Sequence, residues 1–388
     1  GNAEVGVQAL SVIPPRLCTI SPLSRLKSLR RAAFGGIAPG SPFDQASVAP
    51  LVDVSVLAGL PIEDLYLGAT GVESLAPLDD LQLRRLDIRH TPVTDLTPLE
   101  GMPLVSLNIR GTRVKDLSPL ADLPLRDLVV AETRVFDFSV LPKLPLEHLD
   151  AAATQLRDVN ALRGMQLQSL NLARTRVYNF GALSGMPLQS LSLVETQVRD
   201  LSSLESLSLA VLHLSETSVS DLQPLAGMPL ERLYLDGTLV RTLGTLRDMP
   251  LVELDVSRTR VRDLSPLQGM ALRHLGLADT PVDDLSVLRG MPLRVLDISN
   301  TQATDLSPLR GLPLEVLYCE RVKAQDLSPL RGLPVREIWI DINNPQVRRL
   351  LETMPDLELV NGSPPVVMAP AQRGRRRRPF GRVIRQGR

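Results

Sequence analysis

Few residues of this 388-residue sequence stand in arrangements that perform catalysis. The four histidines are dispersed, Cys18 and Cys319 lie far apart, and no HExxH or paired CxxC metal motif occurs. No glycine-rich phosphate loop and no nucleophile-elbow serine is present. Asp137-Phe138-Ser139 is close to a DFG motif. It occupies a position where Asp-Leu-Ser recurs along the chain, so we expect Phe138 to replace a core leucine. The sequence therefore predicts a non-enzymatic protein with no cofactor and no metal.

The most regular polar groups are aspartates placed two residues before a short Ser-Pro-Leu or related segment. Such a carboxylate suits either a metal site or the capping of a turn. Because capping explains the spacing without a ligand, we interpret the column as caps: Asp95, Asp116, Asp137, Asp158, Asp200, Asp221, Asp263, Asp284, Asp305 and Asp326.

A second column contains residues suited to binding a partner. Three of the four tyrosines and the only tryptophan occupy equivalent positions 21 residues apart, or multiples of 21. Tyrosine and tryptophan are the residues most often dominant in interfaces. The alternative is that they pack against their neighbours across strands. The predicted partner-binding residues are Tyr66, Asp87, Asn108, His148, Asp150, Asn171, His213, Tyr234, Asp255, His274, Asp297, Tyr318 and Trp339.

These columns require a repeated scaffold, and twelve threonines recur every 21 residues from Thr70 to Thr301. A fixed period in this range indicates stacked supersecondary units. Each unit contains an alternating Leu-x-Leu pair, which predicts a strand, and fourteen such pairs run from Leu65/Leu67 to Ile338/Ile340.

The second half of each unit turns the chain around. In Ser118-Pro119-Leu120, serine is a good N-cap and proline is tolerated in the first turn. Glycine and often Met-Pro follow within a few residues, so a single 3₁₀ turn fits but a full α-helix does not. We also expect each column threonine to bond a carbonyl and an N–H and so to form a ladder between repeats.

The predicted fold is α/β: a horseshoe-shaped solenoid of 21-residue repeats, with a parallel sheet on the concave face and short 3₁₀ turns on the convex face. We expect an irregular segment at 1–43 and about fourteen repeats at 44–340. A C-terminal cap follows at 341–362, where Asn344-Pro345 opens a helix, and a disordered Arg-rich tail occupies 363–388.

The repeated phrase DLSPLxGMPLxxLxLxxTxV resembles the leucine-rich repeat regions of planctomycete-type bacterial proteins, over roughly residues 44–362. It is similar, more distantly, to internalins, whose unit is one residue longer and uses asparagine where threonine stands here. The resemblance implies a signalling or scaffold protein that binds a protein or peptide. Since such repeats often follow a Ser/Thr kinase domain, it also implies an alternative: a regulatory or substrate-recognition region of a kinase whose catalytic domain is not in this sequence.

The C-terminal residues carry another alternative. Residues 371–388 contain eight arginines and no acid, while the whole chain has zero net charge. Such a block binds nucleic acid, another polyanion or the chain's own acidic surface, or it is a solvated tail without a specific partner. The candidate residues are Arg373, Arg375, Arg376, Arg377 and Arg378. No apolar run is long enough to span a membrane and no signal peptide is evident, so we expect a cytoplasmic protein. The oligomeric state is not predicted.

Overall fold

The computed structural model describes residues 9–12, 28–34 and 51–363. Its strands form one sheet in which every paired strand is parallel to its neighbour, and sequence neighbours are also spatial neighbours throughout. The strands are β1 (Ala9–Val12), β2 (Arg31–Phe34), β3 (Asp64–Tyr66), β4 (Arg85–Asp87), β5 (Ser106–Asn108), β6 (Asp127–Val129), β7 (His148–Asp150), β8 (Ser169–Asn171), β9 (Ser190–Ser192), β10 (Val211–His213), β11 (Arg232–Tyr234), β12 (Glu253–Asp255), β13 (His274–Gly276), β14 (Val295–Asp297), β15 (Val316–Tyr318), β16 (Glu337–Trp339) and β17 (Leu359–Val360).

Each strand from β3 to β15 is followed by a return loop without an α-helix. A three-residue 3₁₀ helix precedes each strand from β3 to β16 on the opposite side of the repeat. These helices are Ser55–Leu57, Ala76–Leu78, Thr97–Leu99, Ser118–Leu120, Leu141–Lys143, Asn160–Leu162, Gly181–Leu183, Ser202–Leu204, Gln223–Leu225, Gly244–Leu246, Ser265–Leu267, Ser286–Leu288, Ser307–Leu309 and Ser328–Leu330. The predicted solenoid with one sheet face and one face of 3₁₀ turns is confirmed.

The core runs the length of the solenoid between these two faces. In the repeat that contains Thr112, the seven apolar side chains predicted to face inward are all at most 2% exposed: Leu104, Leu107, Ile109, Val114, Leu117, Leu120 and Leu123. Burying one such side chain contributes roughly 1.5–3 kcal/mol. Because each of these side chains packs against its equivalents in the adjacent repeats, a repeat gains this energy only within the stack. Phe138 is also buried, as expected from its place in the repeat.

The column threonines are buried, but they do not form the predicted ladder between repeats. The Thr112 hydroxyl donates to the Ile109 carbonyl at 2.7 Å, within its own repeat, and Thr217 does the same to Leu214. The residue before each threonine has a positive φ, for example 58° at Glu216. This left-handed residue turns the chain sharply after the strand, which brings the hydroxyl back onto the carbonyl three residues earlier. Backbone groups connect the repeats instead, as in the bond from Arg113 N to Val93 O at 3.0 Å.

The aspartate column caps the 3₁₀ helices, as the spacing predicts. Asp116 Oδ1 accepts the Ser118 N–H at 2.8 Å, and Oδ2 accepts the Ser118 hydroxyl at 2.7 Å. The predicted N-cap role of serine is therefore wrong. Serine is the first residue of the 3₁₀ helix, and the aspartate two residues earlier accepts its free N–H.

Two strands precede residue 44, where the sequence pattern predicts the solenoid to begin. β1 pairs with β2 and β2 with β3, all in parallel. Ala32 pairs with Leu65 at a spacing of 33 residues, and Ala32 and Phe34 are buried. The prediction of an irregular segment over 1–43 missed these strands because the spacing is not 21 and alanine replaces the first leucine of the pair. The sheet thus begins before the predicted boundary.

At the other end, α1 (Pro345–Leu351) and β17 follow the last full repeat. The Asn344 side chain accepts the Gln346 N–H at 2.9 Å, which caps α1 at the predicted place. Val347 and Leu350 of α1 are buried against the core. Among the described helices, none combines the length and hydropathy of a membrane span.

Candidate partner-binding face of the sheet

The concave face presents the first and third residues of each three-residue strand, because side chains alternate across a sheet. The middle residue of each strand from β3 to β16 is buried in the core. Strand register aligns equivalent positions, so that His213 stands opposite Tyr234 and Tyr318 opposite Trp339. The predicted column of third-position residues therefore forms one continuous line along the sheet.

One aromatic pair lies near the middle of the sheet, on β10 and β11. The rings of His213 and Tyr234 stack with centroids 4.3 Å apart and an interplanar angle of 10°. Both side chains are half-buried. Burial, followed by the nearby Arg232 charge, lowers the pKa of His213, so the imidazole is neutral at pH 7. A neutral ring is a suitable stacking partner for tyrosine.

The Tyr234 hydroxyl is held by a neighbouring strand. It donates to Glu253 Oε2 at 2.5 Å. The same carboxylate lies 3.4 Å from Arg232 Nε and 3.4 Å from His274 Nδ1. Burial, and then the bond to Glu253, raises the pKa of Tyr234 to about 12. Glu253 thus connects three side chains of this face and fixes the orientation of the tyrosine ring.

A second aromatic pair lies at the C-terminal end of the sheet. Tyr318 and Trp339 have ring centroids 6.1 Å apart, and Trp339 Nε1 donates to Glu337 Oε1 at 2.7 Å. Burial and the neighbouring Glu337 raise the pKa of Tyr318. The indole also packs close to Gly362, where a Cβ atom would lie 3.3 Å from Trp339 Cζ2. Part of this tryptophan surface therefore covers the C-terminal segment, and the remainder faces solvent.

Two half-buried valines extend this second pair. Val295 and Val316 are opposite each other in the register of β14 and β15, and Val316 lies opposite Glu337. Together with Tyr318 and Trp339 they form a group that we call the C-terminal apolar patch. From the first strand position the sequence analysis selected only His148 and His274, and it did not select the valines. The same 21-residue period, applied to the first position, would have found them as well as Glu253 and Glu337.

The acidic and amide members of the predicted column have a structural role. Each accepts, through Oδ1, the backbone N–H two residues further on, at 2.9–3.0 Å. They are Asp87, Asn108, Asp150, Asn171, Asp255 and Asp297. Burial raises the pKa of Asp87, Asp150 and Asp297. The Oδ1 oxygen of each side chain supports the bend after the strand. The other carboxylate oxygen or the amide nitrogen can serve a partner, except in Asp87, whose Oδ2 lies 3.2 Å from Arg89 Nε.

The remaining predicted residues are spread along the face. Tyr66 lies eight strands from Tyr234, roughly 38 Å at the strand spacing of a sheet. His148 Nε2 lies 3.9 Å from Asp127, and His274 joins the Glu253 group. The structure therefore brings together His213, Tyr234 and His274, and separately Tyr318 and Trp339. The predicted arginines of the tail lie outside the described residues.

No cluster of three or more His, Cys, Asp or Glu side chains with metal-binding geometry occurs in the described parts of the chain. Cys319 is buried in the core at the inward position, and burial raises its thiol pKa. A buried thiol with a raised pKa is a poor nucleophile.

No protein-family model matches the sequence, and no curated protein matches it. Among solved structures, the chain is similar to a leucine-rich repeat protein of Leptospira interrogans, at 16% identity with a TM-score of 0.63, covering 91% of this chain and 89% of that one. It is also similar to TLR13 in the TLR13–ssRNA13 complex, at 16% identity and a TM-score of 0.50, covering 81% of this chain and 58% of that one. An internalin, inlF of Listeria monocytogenes, matches at 20% identity and a TM-score of 0.49, covering 92% and 87%.

Proposed function

We propose that this leucine-rich repeat solenoid is a non-enzymatic interaction protein whose concave sheet face binds a protein or peptide. The observation that supports the proposal is the arrangement of four aromatic side chains on the C-terminal half of one face. His213, Tyr234, Tyr318 and Trp339 are each half-exposed, although aromatic residues are only 3% of the chain. Solenoids of this kind use their concave surface for binding.

Two of these four side chains, Tyr234 and Trp339, are held in place by carboxylates before a partner binds. Glu253 accepts from Tyr234, and Glu337 accepts from Trp339. A side chain that is already ordered loses less conformational entropy on binding, which is worth about 0.5–1.5 kcal/mol per side chain. The face is therefore preorganised at the residue types that most often dominate interfaces.

The chemistry of the face defines the partner. The C-terminal apolar patch fits an apolar or aromatic side chain, while the second oxygens of Asp255 and Asp297 accept hydrogen bonds from basic or amide groups. The partner that fits is a segment with an apolar or aromatic side chain and a basic or amide group, lying across the strands from β11 to β16. A specific interface needs on the order of 800 Å² per partner, and a solenoid face of this length can supply it.

A capture experiment tests the proposal. The tagged full chain, a concave variant with alanine at Tyr234, Tyr318 and Trp339, and a control variant with alanine at Val52, Leu239 and Ile342 are incubated with lysate of the source cells. The control residues are exposed apolar side chains outside the strands of the sheet. We expect a protein that the wild type and the control retain and that the concave variant loses. Identical captured sets from all three proteins would contradict the proposal.

Circular dichroism of each protein separates loss of binding from loss of fold. If the concave variant is destabilised, Val295→Glu replaces it, because a charge at this half-buried position blocks an apolar contact without removing an aromatic ring.

A further inference from the structure

A second surface lies on the flank of the solenoid, between the concave sheet and the convex 3₁₀ turns. It consists of the residues one and three places after the column threonine. In each repeat these two residues are on either side of a buried residue, such as Val114 or Val177. They therefore point to solvent. This surface is separate from the concave face.

Over five consecutive repeats the third place after threonine alternates between a cation and an aromatic residue. The order is Lys115, Phe136, Arg157, Tyr178 and Arg199. The first place after threonine adds Arg113, Arg134, Gln155, Arg176 and Gln197. These ten residues, which we call the flank patch, contain six cations, two aromatic rings and no acid.

The two aromatic rings are the most exposed large apolar side chains of the described residues. Phe136 is 67% and Tyr178 71% exposed. Exposing such rings to water is unfavourable by up to a few kcal/mol relative to burial. Neither ring occupies a core position, since the adjacent Val135 and Val177 fill that place. Both rings are therefore free to stack on a flat ligand.

None of the six cations of the flank patch is ion-paired within the described residues. No ion pair or side-chain hydrogen bond involves any of their charged groups there. Elsewhere arginines pair regularly, as Arg174 does with Glu195 at 2.7 Å and Arg262 with Asp283. The aspartates that follow the patch are held at the convex turns, since Asp116, Asp137 and Asp158 accept N–H groups of the 3₁₀ helices.

The spacing of the flank patch suits a linear ligand with alternating flat and anionic groups. Backbone hydrogen bonds join the flank segments of adjacent repeats, such as Arg176 N to Leu156 O at 3.2 Å. They hold these segments at the spacing of neighbouring strands in a sheet. Equivalent backbone positions in neighbouring repeats are then about 4.8 Å apart. Phe136 and Tyr178, which are two repeats apart, are separated by about 10 Å. A groove of about 520 Å³ lies between the repeats that contain Phe136 and Arg157, and the carboxylates of Asp137 and Asp158 line its side toward the 3₁₀ turns.

We propose that the flank patch binds single-stranded nucleic acid, with bases stacked on Phe136 and Tyr178. The phosphates pair with the cations on either side of these rings, Lys115, Arg157 and Arg199. Aromatic side chains interleaved with basic groups are the shared feature of single-strand binding surfaces. A duplex does not fit this role, because its bases are stacked on each other and cannot reach exposed rings. An acidic peptide would satisfy the cations but leave both rings without flat partners.

Fluorescence anisotropy of a fluorescein-labelled 20-nucleotide oligo(dT) tests the proposal on the full chain. Stacking on an aromatic residue is worth about 1–3 kcal/mol per base. Phe136→Ala with Tyr178→Ala is therefore expected to weaken binding at least tenfold. Replacing Lys115, Arg157 and Arg199 with glutamine should lower the slope of log K against log salt by about two, since each phosphate contact contributes about 0.7 for single strands.

Matched controls separate the flank patch from general charge and from apolar exposure. The charge control replaces Arg289, Arg310 and Arg331, three exposed arginines beside the convex turns, with glutamine. The apolar control replaces Val52 and Ile342, which are 59% and 61% exposed, with alanine. Every variant is also made in a background in which the eight arginines of residues 371–388 are glutamine, so that the tail cannot mask the flank patch.

The result that supports the proposal is a tenfold or larger loss in the aromatic double variant, in both backgrounds, with controls unchanged. Heparin, an anion without bases, should bind equally well to wild type and the aromatic variant. Oligo(dT) binding that is insensitive to the aromatic variant in the tail-substituted background would overturn it. An equal loss in the charge control would also overturn it.

Discussion

The Tyr234 hydroxyl donates to Glu253 Oε2 at 2.5 Å across two neighbouring strands of the concave face. This contact combines an aromatic residue from the third strand position with an acid from the first position of the next strand. It places Glu253 where Arg232 and His274 also reach it. The aromatic group on this face is therefore a connected unit and not a set of separate side chains.

This contact predicts an unusual tyrosine titration. Because burial and Glu253 favour the protonated phenol, Tyr234 should ionise at a pKa of about 12 instead of 10. The raised folded-state pKa contributes stability that is complete below pH 10 and is lost as pH rises toward 12. The ultraviolet difference titration between wild type and Tyr234→Phe measures it. A difference curve centred at pH 10 would show that the contact does not form.

The same contact predicts a small effect on stability. Tyr234→Phe removes one hydrogen bond from a part-buried carboxylate that retains Arg232 and His274, so the free energy of unfolding should fall by about 1 kcal/mol. Urea unfolding measures the change. Tyr66→Phe is the matched control, because Tyr66 occupies the same column and has no hydroxyl bond to any described residue. A larger effect at Tyr66 than at Tyr234 would contradict this account.

The buried threonine column should contribute to stability through its hydroxyls. Thr217→Val keeps the shape but removes the donor to the Leu214 carbonyl. We expect a loss of about 1–3 kcal/mol in urea unfolding, since a buried carbonyl loses a partner. Thr217→Ser retains the hydroxyl and should recover much of that loss. If valine and serine variants were equally stable, the hydroxyl bond would not be the reason for threonine here.

The aspartate caps predict acid sensitivity. Bonds to serine N–H and hydroxyl groups lower the pKa of Asp263 and Asp305. A lowered folded-state pKa gives stability that is present above the ordinary pKa near 4 and is lost as pH falls through the folded value. Asparagine caps at every pH, so Asp263→Asn with Asp305→Asn should reduce the fall of Tm between pH 5 and pH 3 in scanning calorimetry.

The control for the caps is Asp80→Asn with Asp356→Asn, two exposed aspartates outside the capping column. If Tm fell equally between pH 5 and pH 3 in the wild type and in the cap variant, the capping role would be contradicted.

The 21-residue period of the sequence predicts most of the fold, because it fixes which side chains are buried between stacked repeats. A leucine that recurs every 21 residues, such as Leu107, can lie in only one place in a stack, and it is buried. The same argument failed for Ala32, whose strand is 33 residues from the next one. Without the period, a four-residue strand such as Arg31–Phe34, with two alanines at its centre, has no distinguishing pattern.

Side-chain partners were less predictable than positions. The period places Thr112 at the turn, but the left-handed residue before it decides that the hydroxyl bonds its own repeat. Likewise Tyr234 was found from its column, whereas its bond to Glu253 depends on rotamers of two adjacent strands. The absence of ion pairs at the cations of the flank patch could not be predicted, because sequence alone does not show which arginines lie within reach of a carboxylate in the fold.

The affinity of a captured partner for the C-terminal apolar patch tests the central proposal most directly. Isothermal titration calorimetry compares wild type, Tyr318→Ala with Trp339→Ala, and the control with alanine at Val52 and Ile342. Truncation of interface anchors costs about 2 kcal/mol or more, which is roughly thirtyfold in Kd. We expect at least that increase in the concave variant and no change in the control. An unchanged Kd for a folded concave variant would show that the partner binds elsewhere.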